Sequence, residues 1–137
     1  MDNNALGRIY DAGEVIFRQG DLGDQMYVIQ EGKVEVVLEQ DGKEIVIAVR
    51  GPGEFFGEMA LFEREERMAT VRALGQVRIL SVDRKNLLRR VHEDPSLAVH
   101  IIQTMSQRIR KLSGEVGRLE SWLLELGLSP NAGNNKL

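Results

Sequence analysis

The chain has 137 residues, of which 42% are hydrophobic and 28% charged, so it is long enough for one folded core and too short for two ordinary domains. It has no cysteine, which excludes a disulfide framework, a thiolate metal site and a thiol switch. The formal net charge of -3 gives no overall attraction to nucleic acid, and no apolar run reaches the length of a membrane span. We therefore expect a cytoplasmic protein that binds neither a membrane nor, by this chain itself, nucleic acid.

Residues 13–75 are divided by glycines into short segments rich in Val, Ile, Phe and Tyr. This pattern is typical of many short antiparallel strands in a barrel or sandwich. The clearest hairpin is residues 33–50, in which Asp41 and Gly42 supply the positive φ angles of a two-residue turn.

Two further glycines are predicted to mark turns of the same β region. The segment MYVIQ is predicted to be a strand that ends at Glu31 and Gly32. The segments MATVRA and VRILSVD are predicted to pair with each other as a hairpin across Gly75.

After Asp83 the glycines stop and the apolar residues recur at helical spacing. Asp83 is predicted to cap a short helix that ends near His92. Asp94 and Pro95 form a second start signal, a capping residue followed by proline at the first helical position. A long helix is therefore predicted to run to about Leu126.

The long helix carries apolar residues at alternating spacings of three and four, the a and d positions of a coiled coil. The a positions are mostly β-branched and the d positions mostly leucine, a combination that favours two parallel strands. The sequence therefore predicts a parallel homodimer through residues 102–126. The alternative is an amphipathic helix folded back on its own β region. This apolar seam consists of Ile102, Met105, Ile109, Leu112, Val116, Leu119, Leu123 and Leu126.

These patterns divide the chain into three parts. Residues 1–95 are expected to form the β region with its short helix, and residues 96–127 the dimerisation helix. The remaining residues, 128–137, contain proline, glycine and three asparagines without periodicity, which predicts a hinge or a disordered tail.

The segment FGEMALFEREERMAT, residues 56–70, has the chemistry of an anion site. A helical turn after Gly57 would point unpaired backbone N–H groups at a ligand, and Arg67 offers a planar fork for two phosphate oxygens. Glu58 would accept a hydrogen bond from a sugar hydroxyl beside that phosphate. Phosphate and sugar together indicate a nucleotide. The alternative is that Glu58 and Arg67 are two solvated surface charges.

This segment resembles the phosphate-binding cassette of cyclic nucleotide-binding domains, the family of the bacterial catabolite activator protein (Crp/Fnr) regulators and of the regulatory subunits of cAMP-dependent protein kinase. The resemblance extends to the pattern GDxGDxMYVIxEGxVEV and to the run GPGEFFGE. It implies a mainly β fold with α-helices, an eight-stranded jelly-roll β-barrel followed by a short helix and a long C-terminal dimerisation helix. The matching cassette residues are Phe56, Gly57, Glu58, Met59, Ala60, Leu61, Arg67, Ala69, Thr70 and Val71.

The same resemblance implies a role for each cassette residue. Glu58 would bind the ribose 2′-hydroxyl, and Arg67 would pair with the cyclic phosphate. Backbone amides would complete the cradle, those of Gly57, Met59, Ala60, Met68 and Ala69.

The resemblance also implies that residues of the long helix contact the purine. Ser113 stands where the regulators carry the serine of a Thr-Ser pair, and Leu112 replaces the threonine. Arg108 falls where an arginine reaches toward the cassette glutamate, an exposed helix arginine being the alternative. Met68 puts no hydroxyl after Arg67, which favours cAMP over cGMP.

The function implied is that of a non-enzymatic sensor with no cofactor, whose ligand is cAMP, with cGMP less favoured. It would be the N-terminal regulatory part of a Crp/Fnr-type transcriptional regulator whose DNA-binding domain is absent from this chain. The alternatives are a structural dimerisation module with no ligand or a different one, and a stand-alone sensor. A metal enzyme on the same jelly-roll is disfavoured because His92 and His100 both follow the β region.

Overall fold

Six β-strands and three α-helices make up most of residues 7–128, the part of the chain that this computed structural model describes. The chain divides into two compact units, Met1–Arg89 and Arg90–Leu137. The predicted tail, residues 128–137, lies outside the described residues except for Leu128. The elements are β1 Arg8–Tyr10, β2 Val15–Phe17, β3 Gln25–Gln40, β4 Lys43–Arg50, β5 Phe55–Phe56, α1 Glu58–Glu63, β6 Thr70–Asp83, α2 Arg84–Glu93 and α3 Ser96–Glu125.

The six strands form one antiparallel sheet in the order β1-β6-β3-β4, with β2 paired to β6 and β5 paired to β3. The two long strands, β3 and β6, pair with each other from Gln25 opposite Asp83 to Val37 opposite Thr70. Because side chains alternate between the faces of a strand, these two strands supply much of the buried core. Their most deeply buried apolar residues are Ile29, Val34, Val37, Val71, Val77 and Ile79.

The predicted hairpin between β3 and β4 is confirmed. Gln40 pairs with Lys43, and the two turn residues between them both have positive φ, 54° at Asp41 and 74° at Gly42. A two-residue turn of this kind matches the right-handed twist of the strands it joins. The local sequence therefore determines this turn by itself.

The predicted hairpin across Gly75 is wrong. The segments before and after Gly75 belong to one strand, β6, and both pair with β3 rather than with each other. Gly75 and Gly32 do have positive φ, 73° and 83°, but they lie where the register between β3 and β6 shifts. A glycine at positive φ serves a β-bulge as well as a reverse turn, so these two glycines bend the long strands without reversing them.

The same bends account for the difference in strand number. The structure has six strands within residues 7–128 and its sheet is not closed, so the eight-stranded barrel is not confirmed. Counting β3 and β6 as two segments each, divided at Gly32 and Gly75, gives the eight segments that the family resemblance implies. What the structure establishes is a mainly β sheet with helices.

Both predicted helices after the β region are confirmed. The carboxylate oxygen Oδ1 of Asp83 accepts a hydrogen bond of 2.7 Å from the backbone N–H of Asn86, the geometry of an N-cap. The carboxylate of Asp94 accepts hydrogen bonds from the backbone N–H and the hydroxyl of Ser96, at 3.2 and 2.6 Å. Gly127, at φ 70°, follows the end of α3. Among the described residues no helix is long and apolar enough to cross a membrane.

The cap at Asp83 gives a first testable expectation. Asp83→Ala removes the acceptor of the Asn86 N–H group, so the free energy of unfolding should fall by about 1 kcal/mol. Urea denaturation followed by circular dichroism measures this change, and Asp83→Asn, which keeps a side-chain acceptor, should lose clearly less. Equal stability of Asp83→Ala and the unmodified protein would contradict the capping role.

Candidate functional site

Arg67 lies in the segment that joins α1 to β6. Only 6% of its surface is exposed, which is unusual for a charged side chain. Its Nη1 donates a hydrogen bond of 2.8 Å to the carbonyl oxygen of Gly57, and its Nη2 donates one of 2.9 Å to the carbonyl oxygen of Gln25. Its Nε is buried and has no hydrogen-bond partner among the described residues. A buried unsatisfied donor costs stability, and an anionic ligand oxygen would satisfy it.

Aromatic rings surround the guanidinium group. Its carbon Cζ lies 4.1 Å from the ring centroid of Phe17 and 5.7 Å from that of Tyr27. Both rings pack against Phe56, with centroid distances of 5.9 and 5.3 Å, so the three form one cluster beneath the arginine. A cation at this distance from a ring face is attracted by the negative potential of the π system.

Two glycines leave room for this arrangement. A Cβ on Gly57 would lie 2.9 Å from Nη1 of Arg67, and the backbone of Gly57 has a positive φ of 76°. A Cβ on Gly23 would overlap Nη2, Nε and Cζ of the same guanidinium. The group that lies nearest to the position of a Gly57 Cβ is thus the Arg67 guanidinium itself.

The backbone of Arg67 is also fixed, through the loop that precedes β3. The N–H of Arg67 donates a hydrogen bond of 2.8 Å to the carbonyl oxygen of Asp21, and the N–H of Gly20 donates one of 2.8 Å to the carbonyl oxygen of Arg67. Leu22 and Glu66 form an isolated β-bridge beside these bonds. The GDxGD pattern is therefore the segment that holds the arginine in place.

Burial lowers the pKa of Arg67, while the negative charges of Asp24, Asp21 and Glu58 and the nearby Tyr27 act in the opposite direction. Burial raises the pKa of Tyr27, an effect that the charge of Arg67 reduces. Arginine remains protonated in proteins, so the guanidinium is a desolvated cation at neutral pH. Such a cation interacts strongly with an anion that reaches it.

The predicted helical turn after Gly57 is confirmed as α1. Ala60 and Leu61 are buried and anchor one side of the turn, whereas Met59 and Phe62 are exposed. The first backbone N–H groups of a helix have no partner inside the helix, so they are available to a ligand. The predicted solvated tip, residues 63–66, is exposed at every position.

The ten predicted site residues fall in both units. Those of the cassette lie around α1 and the start of β6, where Arg67 and Ala69 are buried while the side chain of Met68 is 66% exposed. Arg108, Leu112 and Ser113 lie on α3, in the second unit. Contact of both groups with one ligand stays a prediction, as do the ribose role of Glu58 and its link to Arg108. The cassette group is Gly57, Glu58, Met59, Ala60, Arg67, Met68 and Ala69.

Sequence reasoning did not single out the residues that surround Arg67. Gly23 and Tyr27 stand inside the quoted GDxGDxMYVI pattern, so that pattern could have indicated them. Gln25 contributes only its carbonyl oxygen, which no side-chain pattern reveals. Phe17 carried no signal beyond its place in a short apolar segment.

The model of the family described as the cyclic nucleotide-binding domain matches residues 8–94, a range that contains every group around Arg67. The chain belongs to the cyclic nucleotide-binding domain family. The predicted resemblance is thereby confirmed. The assignment of Arg67 to the cyclic phosphate stays a prediction. Among residues 7–128, no three histidine, aspartate or glutamate side chains group as a metal site.

Three of the reported matches are bacterial proteins. The cyclic AMP receptor protein of Thermus thermophilus is 34% identical over 113 residues, covering 82% of this chain and 52% of that protein. The crystal structure of the catabolite activator protein of Thermus thermophilus has a TM-score of 0.74 at 34% identity, covering 82% of this chain and 53% of that one. A protein named as a potassium channel in Rhodopseudomonas palustris is 40% identical over 116 residues, covering 82% of this chain and 27% of the channel protein.

A further relative is eukaryotic. The type II regulatory subunit of the cAMP-dependent protein kinase of Drosophila melanogaster is 46% identical over 72 residues, covering 53% of this chain and 19% of the subunit. The chain thus spans about half, or less, of the length of the relatives it matches. The similarity establishes the binding domain that these proteins share.

Proposed function

We propose that this chain is a cyclic nucleotide sensor whose ligand is cAMP, bound with its cyclic phosphate against Arg67. The observation that carries the proposal is the buried guanidinium group, which is held by two carbonyl oxygens while its Nε has no partner. A cyclic phosphate presents two oxygens that share one negative charge, and a guanidinium edge binds two such oxygens at once. The backbone amides of the cassette would complete the contact.

The remaining contacts come from the family resemblance. Glu58, at the start of α1, is proposed to accept a hydrogen bond from the ribose 2′-hydroxyl. Ser113, beside Leu112 on α3, is proposed to reach the purine, and Arg108 to connect α3 with Glu58. Because no hydroxyl follows Arg67 at Met68, we propose cAMP rather than cGMP, and the Thermus thermophilus relative is named for cAMP.

We further propose a parallel homodimer through residues 102–126 of α3. Six of the eight residues of the apolar seam are between 51% and 64% exposed in the single chain, and no residue of α3 is fully buried there. A helix with an uncovered apolar stripe is stabilised when a partner covers that stripe. The exposed seam residues are Ile102, Ile109, Leu112, Val116, Leu119 and Leu126.

For the whole protein, we propose a Crp/Fnr-type transcriptional regulator in which this chain is the N-terminal, non-enzymatic sensor and DNA is bound by another domain. The Thermus thermophilus relative, of which the chain covers 52%, supports this assignment. The second candidate is the sensor of a potassium channel, favoured by the 40% identity to the Rhodopseudomonas palustris protein. The gene sequence on both sides of these 137 codons distinguishes them, because one predicts a DNA-binding domain and the other membrane spans.

Isothermal titration calorimetry with cAMP, cGMP and 5′-AMP tests the ligand. We expect cAMP to bind in the micromolar range or tighter, cGMP to bind roughly tenfold more weakly or worse, and linear 5′-AMP not to bind. If cGMP binds more tightly than cAMP, the proposed ligand is wrong, but the proposed function as a cyclic nucleotide sensor stands. Absence of heat with both cyclic nucleotides at millimolar concentration would contradict the proposal and leave a structural module.

A further inference from the structure

We propose that Phe17 is a positioning residue for cyclic nucleotide binding, whose ring holds the Arg67 guanidinium in the orientation that presents Nε to the phosphate. The inference rests on the proposed function and assigns a role to a residue outside the cassette. Phe17 lies at the end of β2, about fifty residues before Arg67.

The two hydrogen bonds from Arg67 to carbonyl oxygens leave one motion of the guanidinium group unrestrained. Contacts from Nη1 to the carbonyl oxygen of Gly57 and from Nη2 to that of Gln25 fix two points of the guanidinium plane. The plane can still tilt about the line that joins those two points, and such a tilt moves Nε most. The ring of Phe17, centred 4.1 Å from Cζ, lies against the group and opposes this tilt.

The ring of Phe17 is itself well supported. It is half-buried, and its centroid lies 5.7 Å from that of Tyr27 and 5.9 Å from that of Phe56. The register of β2 against β6 shifts between Val15 and Phe17, so the short strand has a bulge beside the site. A bulge re-aims the side chain that follows it, and here it accompanies the packing of Phe17 into the aromatic cluster.

An aromatic ring suits this position because it stabilises a cation without occupying its donors. A carboxylate in the same place would accept hydrogen bonds from the guanidinium and compete with the phosphate. The π face of Phe17 offsets part of the cost of burying Arg67 and leaves Nε without a hydrogen-bond partner among the described residues. The second ring, Tyr27, is 5.7 Å from Cζ, so Phe17 makes the closer contact.

The test replaces the ring and keeps the apolar character. Phe17→Leu should raise the dissociation constant of cAMP by about fivefold to twentyfold, the range expected for a desolvated cation–π contact. Phe17→Tyr restores a ring face and should restore affinity to within about twofold of the unmodified protein. If Phe17→Leu does not fold, Phe17→Met takes its place with the same expectation.

Tyr10→Leu is the matched control. It removes a ring from the core cluster against which Phe17 packs, at a more buried position, so it should cost at least as much stability as Phe17→Leu. Its effect on cAMP affinity should be under about threefold, because Phe17 and Tyr27 are the rings found beside the guanidinium. Phe17→Leu should therefore lose more affinity than Tyr10→Leu, although Tyr10→Leu loses at least as much stability.

A second measurement needs no nucleotide. The Nε proton of Arg67, observed by nitrogen-edited NMR, should show a ring-current shift that Phe17→Leu strongly reduces and Tyr10→Leu largely keeps. Equal cAMP affinity of Phe17→Leu and the unmodified protein, or an unchanged Nε resonance, would overturn the positioning role and leave the proposed function intact. If the unmodified protein itself binds no cyclic nucleotide, the proposed function fails first, and this inference fails with it.

Discussion

Replacing Arg67 by methionine is expected to weaken cAMP binding by roughly a hundredfold or more. The guanidinium group offers two charge-assisted hydrogen bonds to the phosphate, each worth about 1.5–3 kcal/mol. Methionine fills a similar apolar volume but provides neither the charge nor the donors. Arg67→Lys keeps the charge and loses the planar fork, so its affinity should lie between those of Arg67→Met and the unmodified protein. Isothermal titration calorimetry at neutral pH measures all three proteins.

Arg64→Met is the matched control for charge. Arg64 lies three residues earlier, at the end of α1, and is exposed, so the same change of net charge occurs there without loss of the buried guanidinium. We expect its cAMP affinity to stay within about twofold of the unmodified value, because exposed charges at this distance are screened. Similar affinity losses in both variants would show that net charge, rather than the buried fork, attracts the ligand.

Loss of binding in Arg67→Met must also be separated from unfolding. The substitution removes a desolvated charge, which favours the folded state, and it removes the hydrogen bonds that Arg67 donates to the carbonyl oxygens of Gly57 and Gln25, which disfavours it. Because the two changes oppose each other, the free energy of unfolding should change by less than about 2 kcal/mol. Urea denaturation without ligand measures this quantity and confirms that the variant is folded.

The helical turn that opens the cassette segment could be predicted from the sequence because its signal is local. Gly57, Glu58 and Arg67 lie within ten residues of one another, and a turn after a glycine is determined by neighbouring side chains. The surroundings of Arg67 could not be predicted in the same way, because Phe17, Gly23 and Gln25 come from β2, a loop and β3. Their meeting depends on the pairing of distant strands, which no local pattern specifies.

Glycines account for both the correct and the incorrect turn predictions in the β region. At Gly42 the flanking residues and a two-residue spacing leave a hairpin as the one good solution, and the structure has it. At Gly32 and Gly75 the same residue type at positive φ belongs to the bulges of two long strands. The difference lies in the partner strand, because a bulge exists only where β3 and β6 are already paired.

The second large effect is expected on α3. Val116→Glu places a carboxylate at an a position of the apolar seam, where in a parallel dimer it would face the same residue of the other chain. Burying two like charges costs several kcal/mol, so we expect the dimer dissociation constant to rise by roughly a hundredfold or more. Sedimentation velocity should show a dimer for the unmodified protein at micromolar concentration and a monomer for the variant.

Ser121→Glu is the control for this change. Ser121 is exposed and lies on the side of α3 opposite the seam, and glutamate is a better helix former than serine or valine, so both variants keep the helix. Ser121→Glu should sediment like the unmodified protein. A monomeric unmodified protein at about 100 µM would contradict the dimer, and a dimer that Val116→Glu does not weaken would place the contact elsewhere on the chain.

The same pair of variants tests whether α3 belongs to the binding site. If Ser113 reaches the purine only in the dimer, cAMP must bind the dimer more tightly than the monomer, and by linkage it must strengthen the dimer to the same degree. Val116→Glu should then weaken cAMP binding as well, although Val116 itself makes no contact assigned to the ligand. Unchanged affinity in a fully monomeric Val116→Glu protein would mean that the second chain contributes nothing to nucleotide binding. A contact of Ser113 with the purine that exists only in the dimer would then be excluded, while the role of Arg67 would stand.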